Sequence, residues 1–346
     1  MEAPFSKFGR VLFASLATFV LACLASCGSS ASKVDEFLPS RIVVIGDSYS
    51  YLGSSPNYQD RITVNEGTSA DAISGATVNN WVLQIAGGYA LSKVLADGKI
   101  VSGIVDSVTA ASDGTRLPSC KPTSFHTLPL VFKTDFKVAD IVKQIDCASI
   151  SLASTDLLLV NGGVVDIYKL AEEVVASTKT QAAAEAAAKV QANALRDYVK
   201  NLIATTAVKH IMLLSVPSLD GSPYQLSGTT AQQTARQTAL IGITDAFNTG
   251  LFENFGSQPA GSGVRSFYSD NAFKSSTTLV SLSINMLNTA FCNSLDPTSD
   301  RNTDPFKCTN TDNTAYKYAT DKYPTPVMHR QLGNMDYNTM RGYSGW

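Results

Sequence analysis

The sequence predicts an α/β fold: a three-layer α/β/α sandwich around a central parallel sheet. Apolar runs of strand length recur at 41–45, 156–160, 211–217 and 264–268. Stretches with helical spacing of apolar residues stand between and after them. The first run, Arg41-Ile42-Val43-Val44-Ile45, is β-branched from 42 to 45 without alternation, as a strand buried on both faces reads. Strand and helix in alternation imply parallel strands with helices on both faces of the sheet.

Taken in order, 41–45 is the first strand and 51–74, polar with Gly and Asn, is a loop over the strand ends. Asn79-Asn80-Trp81-Val82-Leu83-Gln84-Ile85-Ala86 reads as a helix with Asn at its N-cap. The stretch 97–129 reads as short strands and loops, and 136–145 as one short helix. Asp156-Leu157-Leu158-Leu159-Val160 is the second buried strand and ends in Asn161-Gly162-Gly163. Residues 168–207 read as long and helical, and 180–194 is nearly an alanine helix, solvated but for one apolar stripe. The third strand, 211–217, closes at Pro217; a helix over 232–255 and a fourth strand over 264–268 follow. The last helix is 325–341, with Thr325 at its N-cap and Pro326 at its first position.

With 346 residues, 44% hydrophobic and 16% charged, the chain has material for a sizeable core, in one large domain or two small ones. It shows no internal repeat and no second domain boundary. Formal net charge is -2 and the pI about 5.9, with no run of Lys and Arg, so nothing argues for a nucleic-acid partner.

Lys7 and Arg10 precede an apolar run over 11–22 that is short for a bilayer span, the pattern of a secretory signal. Leu24-Ala25-Ser26-Cys27 resembles the lipobox of bacterial lipoproteins. The resemblance implies a signal peptide at 1–26, lipid on Cys27 and membrane anchoring through it. Gly28-Ser29-Ser30-Ala31-Ser32 opens a flexible tether over 27–40, and 41–346 is then the folded domain. No Asp follows Cys27, which points an exported lipoprotein to the outer membrane. A plain secretory signal with a chance Cys is the alternative. Cys120, Cys147, Cys292 and Cys308 remain, an even number suited to two disulfides in an oxidising compartment. Three pairings are possible; the local ones, Cys120 with Cys147 and Cys292 with Cys308, are favoured. No CxxC spacing occurs and the chain has only three His, so no metal site is expected.

Gly46-Asp47-Ser48 follows the first strand, so Ser48 stands at a carboxyl strand end, where open α/β sheets bind ligands. This string resembles the first block of the GDSL or SGNH hydrolases, whose nucleophile is that Ser. Asn-Trp-Val-x-x-x-Ala from Asn80 resembles the helix after their second block, without the family's preceding Gly. Phe247-Asn248 resembles a pair common among the lipases. The resemblance covers 41–346 by order of elements, and few short blocks carry it in sequence. It implies an SGNH or flavodoxin-like sandwich and an ester hydrolase with Ser48 as nucleophile, needing no cofactor. Substrates would be lipids, short acyl esters or acetylated glycans.

The other blocks depart from the family pattern. Gly162-Gly163-Val164-Val165-Asp166 stands where the family has Gly-x-Asn-Asp. Gly163 keeps a backbone N–H for the oxyanion, as does Ser48, but Val165 replaces the donor Asn. Asn161 is either a substitute donor or a turn residue. Asp166 is expected to cap the following helix. Aligned on Pro324-Thr325, the family's catalytic His falls on Tyr323 and its Asp on Thr320, with Asp321 displaced by one. His329 falls on a second family His that is normally not the base. It lies one turn into the last helix, whose N-terminus disfavours an imidazolium. His329 with Asp321 as a rearranged base, or His329 as an ordinary helix-face residue, both fit. His126 stays open; His210 sits at the amino edge of a strand. A pseudoenzyme that keeps the fold as a binding lipoprotein is the competing reading, motivated by Val165 and Tyr323.

Overall fold

Five parallel strands form the central sheet: β1 (Arg41–Ile45), β2 (Ile100–Ser102), β3 (Asp156–Val160), β4 (His210–Leu214) and β5 (Arg265–Ser269). Their spatial order is β2-β1-β3-β4-β5. The computed structural model describes residues 37–50, 80–90, 99–102, 136–253, 265–269, 286–290 and 315–342. Of these, all but Phe37 belong to one unit. The chain winds outward from β1 to β2, then returns to β1's other side to lay down β3. The winding reverses between β1 and β3, so the crevice at their carboxyl ends is the topological switch point.

Register places like faces together. Ile42 pairs with Leu157, and Leu159 with Met212. Val43 pairs with Leu158, and Leu158 with Ile211. All are fully buried, which is why these strands carry no polar alternation. Val43, Ile45, Leu158, Val160, Ile211 and Leu213 share one core with helices α4 (Val164–Val175), α5 (Gln181–Thr205) and α6 (Thr230–Phe252). On the remaining side, α1 (Trp81–Gly88) packs with α7 (Pro326–Arg341). The three-layer α/β/α sandwich is therefore observed as the sequence predicts. At the amino edge Arg41 donates from both Nε and Nη2 to Asp156, pinning the register of β1 on β3.

Several boundaries differ from expectation, each for a local reason. The helix expected over 136–145 is two single turns, α2 (Val138–Ile141) and α3 (Gln144–Cys147), parted at Val142–Lys143; Gln144 opens the second and turns inward to bond the backbone of Gly46. The helix expected over 168–207 is two helices. Ser177 takes φ +57°, and the Thr180 hydroxyl caps α5 by accepting from the N–H of Ala183 at 3.2 Å. The alanine helix has its one stripe, with Ala184, Ala188, Ala192, Leu195, Val199 and Leu202 buried. β2 lies inside the stretch read as short strands and loops. A separate parallel pair, β6 (Met286–Ala290) and β7 (Tyr316–Tyr318), had no sequence signal. Asn80 caps α1 through the N–H of Val82. Thr325 occupies the N-cap of α7, but its hydroxyl donates to the Tyr316 carbonyl at 2.7 Å and caps no helix N–H.

Candidate active site

The chain leaves β1 through a position only glycine can fill. A Cβ on Gly46 would lie 1.8 Å from Asn161 Oδ1. Gln144 brackets this residue: its Oε1 accepts from the Gly46 N–H at 2.7 Å and its Nε2 donates to the Gly46 carbonyl at 2.8 Å. Asp47 follows, fully buried. Its Oδ1 accepts from the Tyr49 N–H at 3.0 Å and from Asn161 Nδ2 at 2.7 Å. Its Oδ2 accepts from the Val164 N–H at 3.2 Å. Ser48 opens the single 3₁₀ turn Ser48–Ser50. Ser48 is 1% exposed, and its hydroxyl has no hydrogen-bond partner. A buried hydroxyl left unpaired is costly and marks a functional candidate.

Beside it, β3 ends and α4 begins. Gly163 takes φ +106°, and a Cβ there would stand 2.3 Å from Phe247 Cζ. Only glycine permits both this backbone and the contact. Gly163 is the N-cap of α4, so its N–H stands at the positive end of that helix. Among the described residues, neither the Ser48 N–H nor the Gly163 N–H donates to a backbone carbonyl. These are the two donors the sequence offers an oxyanion. The Phe247-Asn248 pair supports the same end of the sheet. Asn248 brackets Val216 just beyond β4, accepting from its N–H at 2.9 Å and donating to its carbonyl at 2.8 Å.

Asn161, read from sequence as a substitute oxyanion donor or a turn residue, is tied into the turn that carries Ser48. Its Nδ2 is bound to Asp47, and its Oδ1 accepts from the Ser50 hydroxyl. Asp166 does not cap its own helix, since α4 starts at Val164. It sits in the first turn and accepts from the Val138 N–H at 2.9 Å, at the start of α2. Burial pushes its carboxyl up to about 6, against that hydrogen bond and nearby Lys137.

The C-terminal block closes over the other side. Thr320, at the family's Asp position, accepts from the N–H of Tyr323 at 3.2 Å, and the Ala319 N–H donates to the Tyr323 carbonyl at 2.7 Å. Tyr323, which the sequence resemblance sets opposite a His, is buried with its ring centroid 5.8 Å from Tyr49. Tyr49 donates its hydroxyl to the Lys322 carbonyl at 2.6 Å. Lys322 in turn pairs with Glu172 at 3.1 Å and lies over the rings of Tyr168 and Tyr224. The loop is thus held from both sides by structural contacts. Asp321 is exposed, and its carbonyl accepts from the Tyr224 N–H at 3.0 Å.

His329 lies buried in the first turn of α7, and its ring meets Tyr49 edge-on at 6.4 Å. Burial first, and neighbouring Arg330 second, push its imidazole down to about 3. It is neutral at ordinary pH, with a lone pair free on Nδ1, and is a weaker base than a solvated imidazole. Its Nδ1 has no hydrogen-bond partner, so Asp321 does not orient it through that atom. The Ser48 hydroxyl, being unpartnered, is not bonded to His329 either. Asp47 thus links the turn that carries Ser48 to the residue after Gly163, and Tyr49 links that turn to His329; no hydrogen bond joins Asp321 to His329 Nδ1.

His210 is the first residue of β4, at the edge away from Ser48. His126, Cys27, Cys120, Cys292 and Cys308 lie outside the described residues. Cys147 is disulfide-bonded, and its partner lies outside them as well. The described residues hold no cluster of three or more potential metal ligands, and none of their helices is long and apolar enough to cross a membrane. Sequence reasoning missed Gln144 and Tyr49. Tyr49 adjoins the proposed nucleophile and was open to notice; a Gln between Lys143 and Ile145 gives no signal. No protein-family model matches the chain, and neither does any curated protein.

Proposed function

We propose that this chain is a serine ester hydrolase, with Ser48 as nucleophile and His329 as base, and an exported lipoprotein of the bacterial envelope anchored through Cys27. The observation that carries the enzyme reading is the buried, unpartnered Ser48 hydroxyl at the switch point, beside the left-handed Gly163 at the head of α4. Ser48 Oγ attacks the ester carbonyl while His329 takes its proton. The carbonyl oxygen becomes an oxyanion held by the N–H groups of Ser48 and Gly163. The tetrahedral species expels the alcohol, which receives the proton from His329. Water, deprotonated by His329, then attacks the acyl-Ser48; the tetrahedral species collapses to the carboxylic acid as His329 returns the proton to Ser48 Oγ.

Proton transfer requires Ser48 Oγ and a nitrogen of His329 within about 2.6–3.2 Å, a contact often loose without substrate. Tyr49 packs against His329 and follows Ser48 in the chain, so closing that contact moves the Ser48–Ser50 turn. The substrate class proposed, as the sequence resemblance implies, is a lipid, a short acyl ester or an acetylated glycan. The test is hydrolysis of short and medium p-nitrophenyl esters by wild type beside Ser48→Ala. Activity lost in the variant supports the reading; equal rates in both sink it.

A second reading, a fold-retaining binding lipoprotein without turnover, is favoured by one observation. Tyr323 occupies the family's base position and is packed into the core beside Tyr49. Tyr323→His separates the two. A large gain in hydrolysis marks a crippled site that is otherwise assembled, whereas an active wild type with no gain speaks for His329.

A further inference from the structure

We propose that Asn161 and Asp47 are positioning residues that set the aim of the Ser48 and Gly163 N–H groups; the inference rests on the esterase reading above. The two donors belong to different strand ends, and the β1–β3 ladder ends with the Asn161 N–H on the Ile45 carbonyl, before either donor. Asp47 makes that connection. It is joined to Ser48 by the chain, and it binds the N–H of Val164, the residue after Gly163, at 3.2 Å. Holding the Val164 N–H anchors the first turn of α4, and the Gly163 N–H lies one Cα away from that anchored peptide. The carboxylate therefore ties the orientation of one donor to the backbone that carries the other.

Asn161 holds the carboxylate in that attitude. Its Nδ2 donates to Asp47 Oδ1 at 2.7 Å, its Oδ1 accepts from the Ser50 hydroxyl, and its own N–H donates to the Ile45 carbonyl at 3.2 Å. It thus grips both ends of the segment that presents Ser48. The glycine at 46 is the room this grip needs, since any Cβ would strike Asn161 Oδ1. Three N–H donors on Asp47 also offset a negative charge next to the place where an oxyanion forms. The fully buried Asp47 and nearly buried Asn161 act through the geometry of the two donors, where a misplacement of about 1 Å costs on the order of 10²-fold in rate.

The test uses the purified full-length protein in detergent, with Asp47→Asn, Asn161→Ala and Ser50→Ala. Active sites are titrated with a fluorophosphonate that labels Ser48, so that rates refer to folded, labelled molecules only. Asp47→Asn keeps the shape but turns an N–H donor toward either Asn161 Nδ2 or the Val164 N–H. The expected result is a loss in kcat of about 10²-fold with KM within about threefold, and a matching loss of affinity for a trifluoromethyl ketone, whose adduct carries the oxyanion. Asn161→Ala follows it, and Ser50→Ala shows a smaller loss in the same direction. A merely structural role lowers the melting temperature and the titratable fraction while kcat per labelled site stays at the wild-type value; that result overturns the inference and leaves the esterase standing. A wild type that neither hydrolyses esters nor takes the label removes the esterase reading, and the inference with it.

Discussion

The ring of Tyr49 meets the imidazole of His329 edge-on, centroids 6.4 Å apart, while its hydroxyl donates to the carbonyl of Lys322 at 2.6 Å. One side chain thus joins the turn that carries Ser48 to the loop that leads into α7. Tyr49→Phe keeps the ring contact and leaves a partly buried carbonyl without its donor. The expected cost is about 1 kcal/mol, read as a lower urea midpoint at unchanged m-value. A midpoint equal to wild type means that the hydroxyl bond adds nothing to the hold on the 319–323 loop.

Two buried groups give opposite slopes of stability against pH. His329 is lowered from 6.5 to about 3, so between those values the unfolded chain binds the extra proton. Stability then rises with pH through this window, is complete above about 6.5, and is lost as pH falls toward 3. Asp166 is raised from 3.8 to about 6, so between those values the folded chain binds the extra proton. Its contribution is present below about 4 and is lost as pH rises through 6. The slopes oppose each other from about pH 4 to 6, each bounded by about 1.4 kcal/mol per pH unit. Asp166→Asn keeps an acceptor for the Val138 N–H and removes the falling slope. Denaturant titrations at pH 4, 5 and 6 should then show the variant's stability climbing more steeply than wild type's. Parallel curves would mean that Asp166 titrates normally.

Glycines separate the built site from its surroundings. Gly163→Ala meets both a φ of +106° and the Phe247 ring at 2.3 Å. The expected loss is at least about 2 kcal/mol, together with reduced turnover of any ester the wild type hydrolyses. Gly87, inside α1, has nothing within 4 Å of an added Cβ. Gly87→Ala should stabilise the protein by about 0.5–1 kcal/mol through helix propensity. Thermal melts of the two variants should move in opposite directions, and a shared direction would contradict these surroundings.

The sheet was legible because strands buried on both faces are apolar at every position, as in Ile42-Val43-Val44-Ile45 and Leu157-Leu158-Leu159-Val160. The place of Ser48 followed from the same pattern. What could not be read is side-chain direction in the turns. Asn161 has the right chemistry for an oxyanion donor, and only the fold shows its amide turned to Asp47. Gln144 spends its amide on the backbone of Gly46, a contact 98 residues away in sequence. Thr325 has the spacing of a cap, but the carbonyl of Tyr316 takes its hydroxyl. Such competition between local and distant partners leaves no periodicity to find.

The alanine stripe of α5 sets how closely two helices meet. Ala184, Ala188 and Ala192 are all fully buried, and α5 packs against α6 along this face. At Gly250 of α6, an added Cβ would lie 3.1 Å from Ala192 Cβ, so the helices meet without room for larger residues. High helix propensity alone explains alanines on every face, but it does not require them on this one. The two causes separate by substitution. Ala192→Leu, buried against α6, should cost about 1–3 kcal/mol by overpacking. Ala186→Leu, on the exposed face of the same helix, should change stability by less than about 0.5 kcal/mol, since leucine is nearly as good a helix former. Equal effects at the two positions, measured by urea unfolding, would show that propensity and not close packing selects the stripe.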